Sequence, residues 1–232
     1  MGEPLYLLPG WGLSVQLLGP LAEALHPAFE VTPLALPALP TFEGCLQALH
    51  ARIPEGAWLA GWSLGGMLAV ALAAQRGSAC PGVVSLASNA CFTAREQWPA
   101  AMPAATFDAF LAGCRQSPAA TLKRFSLLCS QGSEQARELA RQLVAAPAEV
   151  TADGLALLAG LDNRQALAAF PGPQLHLLGA ADALVPAAAY PALAALAPRA
   201  QVVLLDRACH AFPVQAPQGV AQHILDWMHS HG

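Results

Sequence analysis

Ser63 lies in the stretch "LAGWSLGGMLA", with Gly61 two residues before it and Gly65 two residues after it. A serine between glycines at that spacing, after a short apolar run and before a helical one, describes a nucleophile elbow. The turn is tight and strained, so the flanking side chains must be tiny, and it pushes the hydroxyl out at the carboxyl end of a strand. A helix beginning at Leu64 offers backbone N–H groups and its positive dipole end to a developing oxyanion. A serine hydroxyl is a weak nucleophile and needs a base and an orienting acid, expected in the chain order Ser, Asp or Glu, His. His210, in "RACHAF", follows the apolar run "QVVLLD" and falls on a loop at that strand's end. His26, His50, His223, His229 and His231 fall on helical stretches or the tail, and His176 points from a strand. For the acid, Asp182 in "LLGAADALVP" opens on the same edge as the other two. Asp206 is the rival, but it precedes His210 by four residues and reaches the back of that histidine awkwardly. A second oxyanion donor is expected after the first strand, in "LLPGWGL", where Gly10 and Gly12 flank Trp11. The N–H groups of Trp11 and Leu64 then form the hole, and the Trp11 ring also suits a core aromatic. The chemistry indicated is nucleophilic attack by the serine hydroxyl with an oxyanion held by backbone N–H groups.

These residues need a scaffold that brings strand ends together. Apolar runs recur at 5–8, 29–36, 57–62, 83–88, 174–179 and 201–206, each ending near Gly, Pro, Ser, Asn or Asp. Helical stretches at 15–25, 64–76, 187–196 and 219–229 lie between or after them. Strand and helix in alternation mean a parallel sheet covered on both faces. The alternation breaks between Cys91 and Phe170, where a wholly helical stretch is expected, with segments at 104–115, 119–128, 133–145 and 152–159. Such an insertion sits over one edge of the sheet as a cap.

Composition narrows the alternatives. The chain has 232 residues, which fits one large domain or a domain with an insertion, and 55% apolar with 11% charged residues argues against disorder. A net charge of −4 argues against nucleic acid as a partner. Residues 57–74 carry no charge and are long enough to score as a membrane span. Three glycines and the strand-like "AWLAGW" make strand, turn and buried helix the better reading, so no membrane association is expected. "MGEPLYLLPGWG" lacks a basic region before a long apolar one, so no signal peptide is expected. Gly2 lacks the Ser or Thr that myristoylation wants at position 6, which is Tyr6. Cys45, Cys80, Cys91, Cys114, Cys129 and Cys209 are scattered, which points to reduced core thiols rather than zinc or disulfides.

The assembled pattern resembles the α/β-hydrolase superfamily. "GWSLGG", "PGWGL", "ASNACFTAREQWP", "KRFSLLCSQGSEQARELAR" and "DALVP" resemble, more narrowly, the pimeloyl-[acyl-carrier protein] methyl ester esterases of biotin synthesis. The similarity runs over nearly the whole chain. It implies an α/β-hydrolase fold: one domain over 1–232, a mostly parallel central sheet with helices on both faces, and an all-helical cap at about 92–165. It also implies a cytoplasmic enzyme without metal or organic cofactor, acting on a pimeloyl methyl ester still attached to its acyl-carrier protein; a monomer is expected. By motif, Ser63, Asp182 and His210 take the triad roles, and Trp11, Ser63, Leu64, Phe125, Ser126, Leu127, Leu128, Cys129 and His210 contact substrate. Phe125, Leu127, Leu128 and Trp11 fit either a narrow channel for the methylene chain or a plain core stripe. Lys123, Arg124, Arg137 and Arg141 form a basic cap surface suited to an acidic carrier and its phosphate. Glu134 and Glu138 beside them leave an ordinary solvated face as the alternative. The chain departs from the family at Pro9, where histidine is usual, and in an absent or shortened leading hairpin. A general short-chain carboxylesterase or thioesterase of the same fold stays open, as does a non-catalytic binding protein of that fold.

Overall fold

A computed structural model describes residues 2–26, 28–145 and 150–230. The six apolar runs form β1 (Glu3–Leu8), β2 (Phe29–Pro33), β3 (Trp58–Trp62), β4 (Val83–Leu86), β5 (Gln174–Gly179) and β6 (Gln201–Leu205). They pair side by side in the order β2-β1-β3-β4-β5-β6, and every pair is parallel. Every residue of β3, β4 and β5 is buried, as strands covered on both faces require, whereas the edge strands β2 and β6 are partly exposed.

The helices in chain order are α1 (Gly19–Leu25), α2 (Phe42–Arg52), α3 (Leu64–Arg76), α4 (Ala104–Gln116), α5 (Pro118–Ser130) and α6 (Ala136–Ala145). They continue with α7 (Ala152–Gly160), α8 (Arg164–Ala169), α9 (Ala189–Leu196), α10 (Phe212–Gln215) and α11 (Pro217–His229). The chain steps outward from β1 to β2, returns past β1 to β3, and then advances strand by strand to β6. Right-handed crossovers therefore put α1 on one face and α2, α3, α8 and α9 on the other. The packing agrees: α1 lies against α11, while α2, α3, α8 and α9 touch in succession. The reversal makes a switch point between β1 and β3, and ligands of open parallel sheets bind in the crevice outside the strand ends at such a point. Gly10 and Ser63 follow these two strands.

Several expected elements shift for identifiable reasons. The strand expected to reach residue 36 ends at Pro33, and the segment that follows, "LALPALP", carries two more prolines that cannot donate to a ladder. The helix expected over 15–25 divides into a 3-10 turn at Val15–Leu18 and α1, where Gly19 and Pro20 interrupt it. The stretch after Cys91 is not helical at its start: residues 91–103 form a loop with isolated bridges Thr93 to Met102 and Arg95 to Trp98. Asn89 ties that loop, accepting from Trp98 Nε1 at 3.0 Å and donating to the Ala100 carbonyl at 2.7 Å. Helix α2 went unrecognised in the sequence, although Thr41 accepts from the Gly44 N–H and Cys45 and Leu49 recur at helical spacing on its buried side. Helix α8 also went unrecognised; it packs on α3 rather than with α4 to α7. All six cysteines are free and buried, and burial pushes the Cys80 and Cys91 thiols up to about 11.

Candidate active site

Ser63 caps the N-terminus of α3 at φ 55 and ψ −119, a backbone conformation strained for any residue with a Cβ. Close approach of three backbone segments explains its glycine neighbours. A Cβ on Gly61 would lie 2.3 Å from the Gly65 carbonyl carbon, and one on Gly65 would lie 2.3 Å from the Pro9 carbonyl oxygen. Pro9 and Gly10 belong to the loop after β1, and a Cβ on Gly10 would lie 3.3 Å from Ser63 Cβ. The elbow and the β1 loop therefore press directly against each other.

His210 follows β6. Its Nδ1 meets Asp182 Oδ2 at 2.8 Å, with both side chains wholly buried. The other Asp182 oxygen accepts from the N–H groups of Leu184 at 2.7 Å and Val185 at 2.9 Å. Against a carboxylate, Nδ1 carries the proton, and Nε2 keeps its lone pair. Nε2 is buried without a hydrogen-bond partner among the described residues. Trp62, the residue before Ser63, donates from Nε1 to the His210 carbonyl at 2.9 Å and ties the two loops together. Ser63 Oγ and His210 Nε2 do not hydrogen-bond. Asp206, the rival acid, sits exposed at the end of β6.

The β1 loop closes a turn in which the Leu13 N–H donates to the Gly10 carbonyl at 3.2 Å, with Gly12 at φ 66. That turn does not use the Trp11 N–H. The Leu64 N–H is one of the first-turn donors a helix leaves unpaired. The Trp11 ring is buried: Nε1 donates to the Thr151 carbonyl at 2.9 Å, and the ring meets Phe125 edge-on at 5.1 Å. Phe125 in turn stands 6.4 Å from the His210 ring.

A cavity of about 450 Å³ adjoins these donors. Gly10, Trp11 and Leu64 line it, together with the proline-rich segment 35–40 and residues of α7 including Asp153 and Leu157. Ser63, His210 and residues 125–129 are not on its wall. The expected substrate-contact residues on α5 are thus divided. Phe125 is buried between Trp11 and His210, whereas Leu127 is 56% exposed and does not line an internal channel. Leu128 is half-buried against the core, the Ser126 hydroxyl donates to the Lys123 carbonyl, and the buried Cys129 accepts the Ala211 N–H on its own carbonyl. Lys123 and Arg124 on α5 and Arg137 and Arg141 on α6 are all exposed, on two helices that pack together. Arg141 pairs with Glu138 at 3.2 Å.

Arg95 escaped the sequence reading. Its guanidinium donates to the carbonyls of Ala159, Gly160 and Leu161, which closes the C-terminus of α7, and it reaches Asp162 at 3.5 Å. Arg164 beside it holds the Asp162 carboxyl well below the usual carboxylate range. Helix α7 is therefore pinned at both ends, by Arg95 at one and by the Trp11 indole on Thr151 at the other. Among the described residues no group of three or more His, Cys, Asp or Glu side chains suits a metal ion, and no helix is long and apolar enough to cross a membrane.

Comparison with known proteins agrees with this architecture. Residues 38–217 match the α/β hydrolase fold family. The biotin biosynthesis bifunctional protein BioHC of Cellvibrio japonicus is 38% identical over 96% of this chain, which spans 47% of that relative's length. The pimeloyl-[acyl-carrier protein] methyl ester esterases of Klebsiella pneumoniae and Aeromonas hydrophila are 35% and 34% identical, with 91% and 92% of their lengths covered. Among solved structures, a bromoperoxidase from Bacillus anthracis superposes with a TM-score of 0.86 at 18% identity, covering 99% of this chain and 92% of its own. An esterase from Exiguobacterium antarcticum gives 0.85 at 15%, covering 97% and 91%. The chain belongs to the α/β-hydrolase family and, within it, to the family of the pimeloyl-[acyl-carrier protein] methyl ester esterases.

Proposed function

We propose that this chain is a serine carboxylesterase that hydrolyses the methyl ester of pimeloyl-acyl-carrier protein, releasing methanol in biotin synthesis. The observation that carries the reading is the buried His210–Asp182 hydrogen bond, which leaves Nε2 as an unpartnered base on a loop that Trp62, the residue before Ser63, holds through the His210 carbonyl. His210 Nε2 takes the Ser63 proton as Oγ attacks the ester carbonyl. The N–H groups of Trp11 and Leu64 receive the developing oxyanion, where donors act in a site shielded from water. Methanol departs with the proton from His210, water attacks the acyl-serine with His210 again as base, and Asp182 stabilises the imidazolium throughout.

Ser63 is 3% exposed and the His210 side chain is wholly buried, so substrate enters by displacing their cover. Phe125 and Trp11 form that cover, and both belong to or are anchored by the segment between β4 and β5. Helices α4 to α7 act as the cap of a single-domain enzyme. In this reading the acyl chain occupies the cavity between the proline-rich segment and α7, which Trp11 and Leu64 line. Its largely apolar wall suits a methylene chain. The exposed cations Lys123, Arg124, Arg137 and Arg141 receive the acidic carrier. The reading is completed by a cytoplasmic monomer that needs no cofactor.

Hydrolysis of a carrier-linked pimeloyl methyl ester tests the assignment. Wild type is expected to turn it over and to be labelled at Ser63 by a fluorophosphonate, and Ser63→Ala to lose at least about 10³-fold in kcat. Equal turnover of carrier-linked pimeloyl ester and short free esters instead identifies a general short-chain esterase or thioesterase. Ser63→Ala at wild-type rates excludes the mechanism.

A further inference from the structure

Strands β3 and β4 pair with Trp62 opposite Leu86, and the next residue on each is Ser63 and Ala87. Both take left-handed backbone conformations without being glycine, at φ 55 and φ 48. Two such residues side by side persist only where surrounding contacts over-determine them. The N–H groups are tied along the sheet, Ser63 to the Leu86 carbonyl at 2.8 Å and Ala87 to the Leu177 carbonyl at 2.9 Å.

The turn at Ala87 aims the buried Ser88 side chain back at Ser63. Ser88 Oγ donates to the Ser63 carbonyl at 2.6 Å and stands 3.3 Å from the Leu86 carbonyl. A hydroxyl has one proton to give, and the shorter contact takes it. The same Ser63 carbonyl accepts the Met67 N–H at 3.1 Å, at the start of α3. Gly66 belongs to this arrangement: a Cβ there would lie 2.1 Å from Ser88 Oγ.

The peptide between Ser63 and Leu64 is planar and trans, so its carbonyl and its N–H point in opposite directions. Whatever fixes the Ser63 carbonyl fixes the direction of the Leu64 N–H. A hydrogen bond received on the carbonyl also polarises the amide and strengthens its N–H as a donor.

We propose that Ser88 is a positioning residue for the oxyanion hole: by holding the Ser63 carbonyl it aims the Leu64 N–H at the carbonyl oxygen of the ester under attack. The proposal rests on the reading of Ser63 as the nucleophile. Ser88 touches no substrate. Its effect falls on the transition state, where the oxyanion exists, and not on ground-state binding.

The test measures kcat and KM of Ser88→Ala on a small methyl ester, with active sites counted by fluorophosphonate titration. Binding of a trifluoromethyl ketone is measured beside them. The expected result is a fall of about tenfold in kcat per titrated site, with KM within about twofold and a parallel loss of affinity for the ketone. Ser88→Thr, which keeps the hydroxyl, is expected to recover most of that loss. A purely structural role lowers the melting temperature and the number of titratable sites, yet leaves kcat per site and ketone affinity unchanged. That outcome overturns the proposal. Should the alanine variant not accumulate as folded protein, Ser88→Cys, with its weaker donor, is read the same way, and wild-type kcat per site in it overturns the proposal equally. A wild-type chain that is not labelled at Ser63 overturns the nucleophile reading and the proposal together. A labelled wild type with an undiminished variant overturns the role of Ser88 alone.

Discussion

Asp182 uses both of its carboxylate oxygens, one on two backbone N–H groups and the other on His210. That division makes one substitution diagnostic. In Asp182→Asn the amide oxygen suits the Leu184 and Val185 N–H groups, which turns the NH₂ toward His210 Nδ1. The imidazole then receives on Nδ1 and carries its proton on Nε2, the nitrogen that accepts from Ser63 in the proposed mechanism. The expected outcome is a loss of about 10³- to 10⁴-fold in kcat on a small ester with little change in melting temperature. A variant within about tenfold of wild type would show that the orientation of His210 does not depend on this carboxylate. The wall around the same histidine is equally particular. Phe125 meets Trp11 edge to face, a favoured aromatic geometry, and stands 6.4 Å from the imidazole, which is wholly buried.

At the scale of elements, α5 and α6 divide their residues sharply between two environments. Phe125 and Cys129 turn inward on α5, while Lys123, Arg124 and Leu127 turn outward within one helical turn of each other. On α6, Arg137 and Arg141 stand at i and i+4 and share an exposed face. Exposed ion pairs such as Arg141 with Glu138 contribute little stability, so these cations are free to serve association. Reversing them as Arg137→Glu with Arg141→Glu is expected to lower kcat/KM for the carrier-linked ester about 10- to 100-fold at low salt, mainly through slower encounter. The defect should shrink as added salt screens both proteins, and hydrolysis of a small methyl ester should stay within about twofold. Equal losses on both substrates would remove the docking role. Helix α7 works differently. Arg95 on its C-terminal carbonyls and Thr151 on the Trp11 indole hold it as one wall of the cavity, so its placement sets the cavity's width.

At the scale of the molecule, the sheet buries a titratable group that has no catalytic duty. His176 on β5 meets Ser85 Oγ at 2.7 Å and Gln174 Oε1 at 3.3 Å, and burial lowers its pKa to about 4 from an ordinary value of 6.5. Its folded-state pKa is depressed, so the unfolded chain binds this proton first. Stability is fully present above pH 6.5 and falls as the pH drops toward 4, by about 3 kcal/mol from this group. Urea denaturation between pH 7 and 4 should show that fall, and His176→Gln, which keeps a polar group for Ser85, should flatten it; an unchanged slope would falsify the assignment. Much of the fold was legible beforehand because it is written locally. Fully buried strands read as unbroken apolar runs, and α3 begins at Leu64 as expected because an elbow needs its glycines in fixed places. Elements with weak local signals were missed: α2 has a single capping threonine, and Pro99 and Pro103 keep the start of the insertion from becoming helical. The chain by itself determined the alternation of strand and helix and the chemistry a serine at position 63 could perform, because periodicity and steric room are properties of neighbours in sequence. Only the tertiary structure decided the distance at which His210 meets Asp182, that Leu127 faces solvent, that the cavity lies against α7, and that Ser88 reaches the Ser63 carbonyl. Those contacts join residues far apart in the chain, and they exist because the strand order reverses beyond β2 and gathers the loops of separate strands at one end of the sheet.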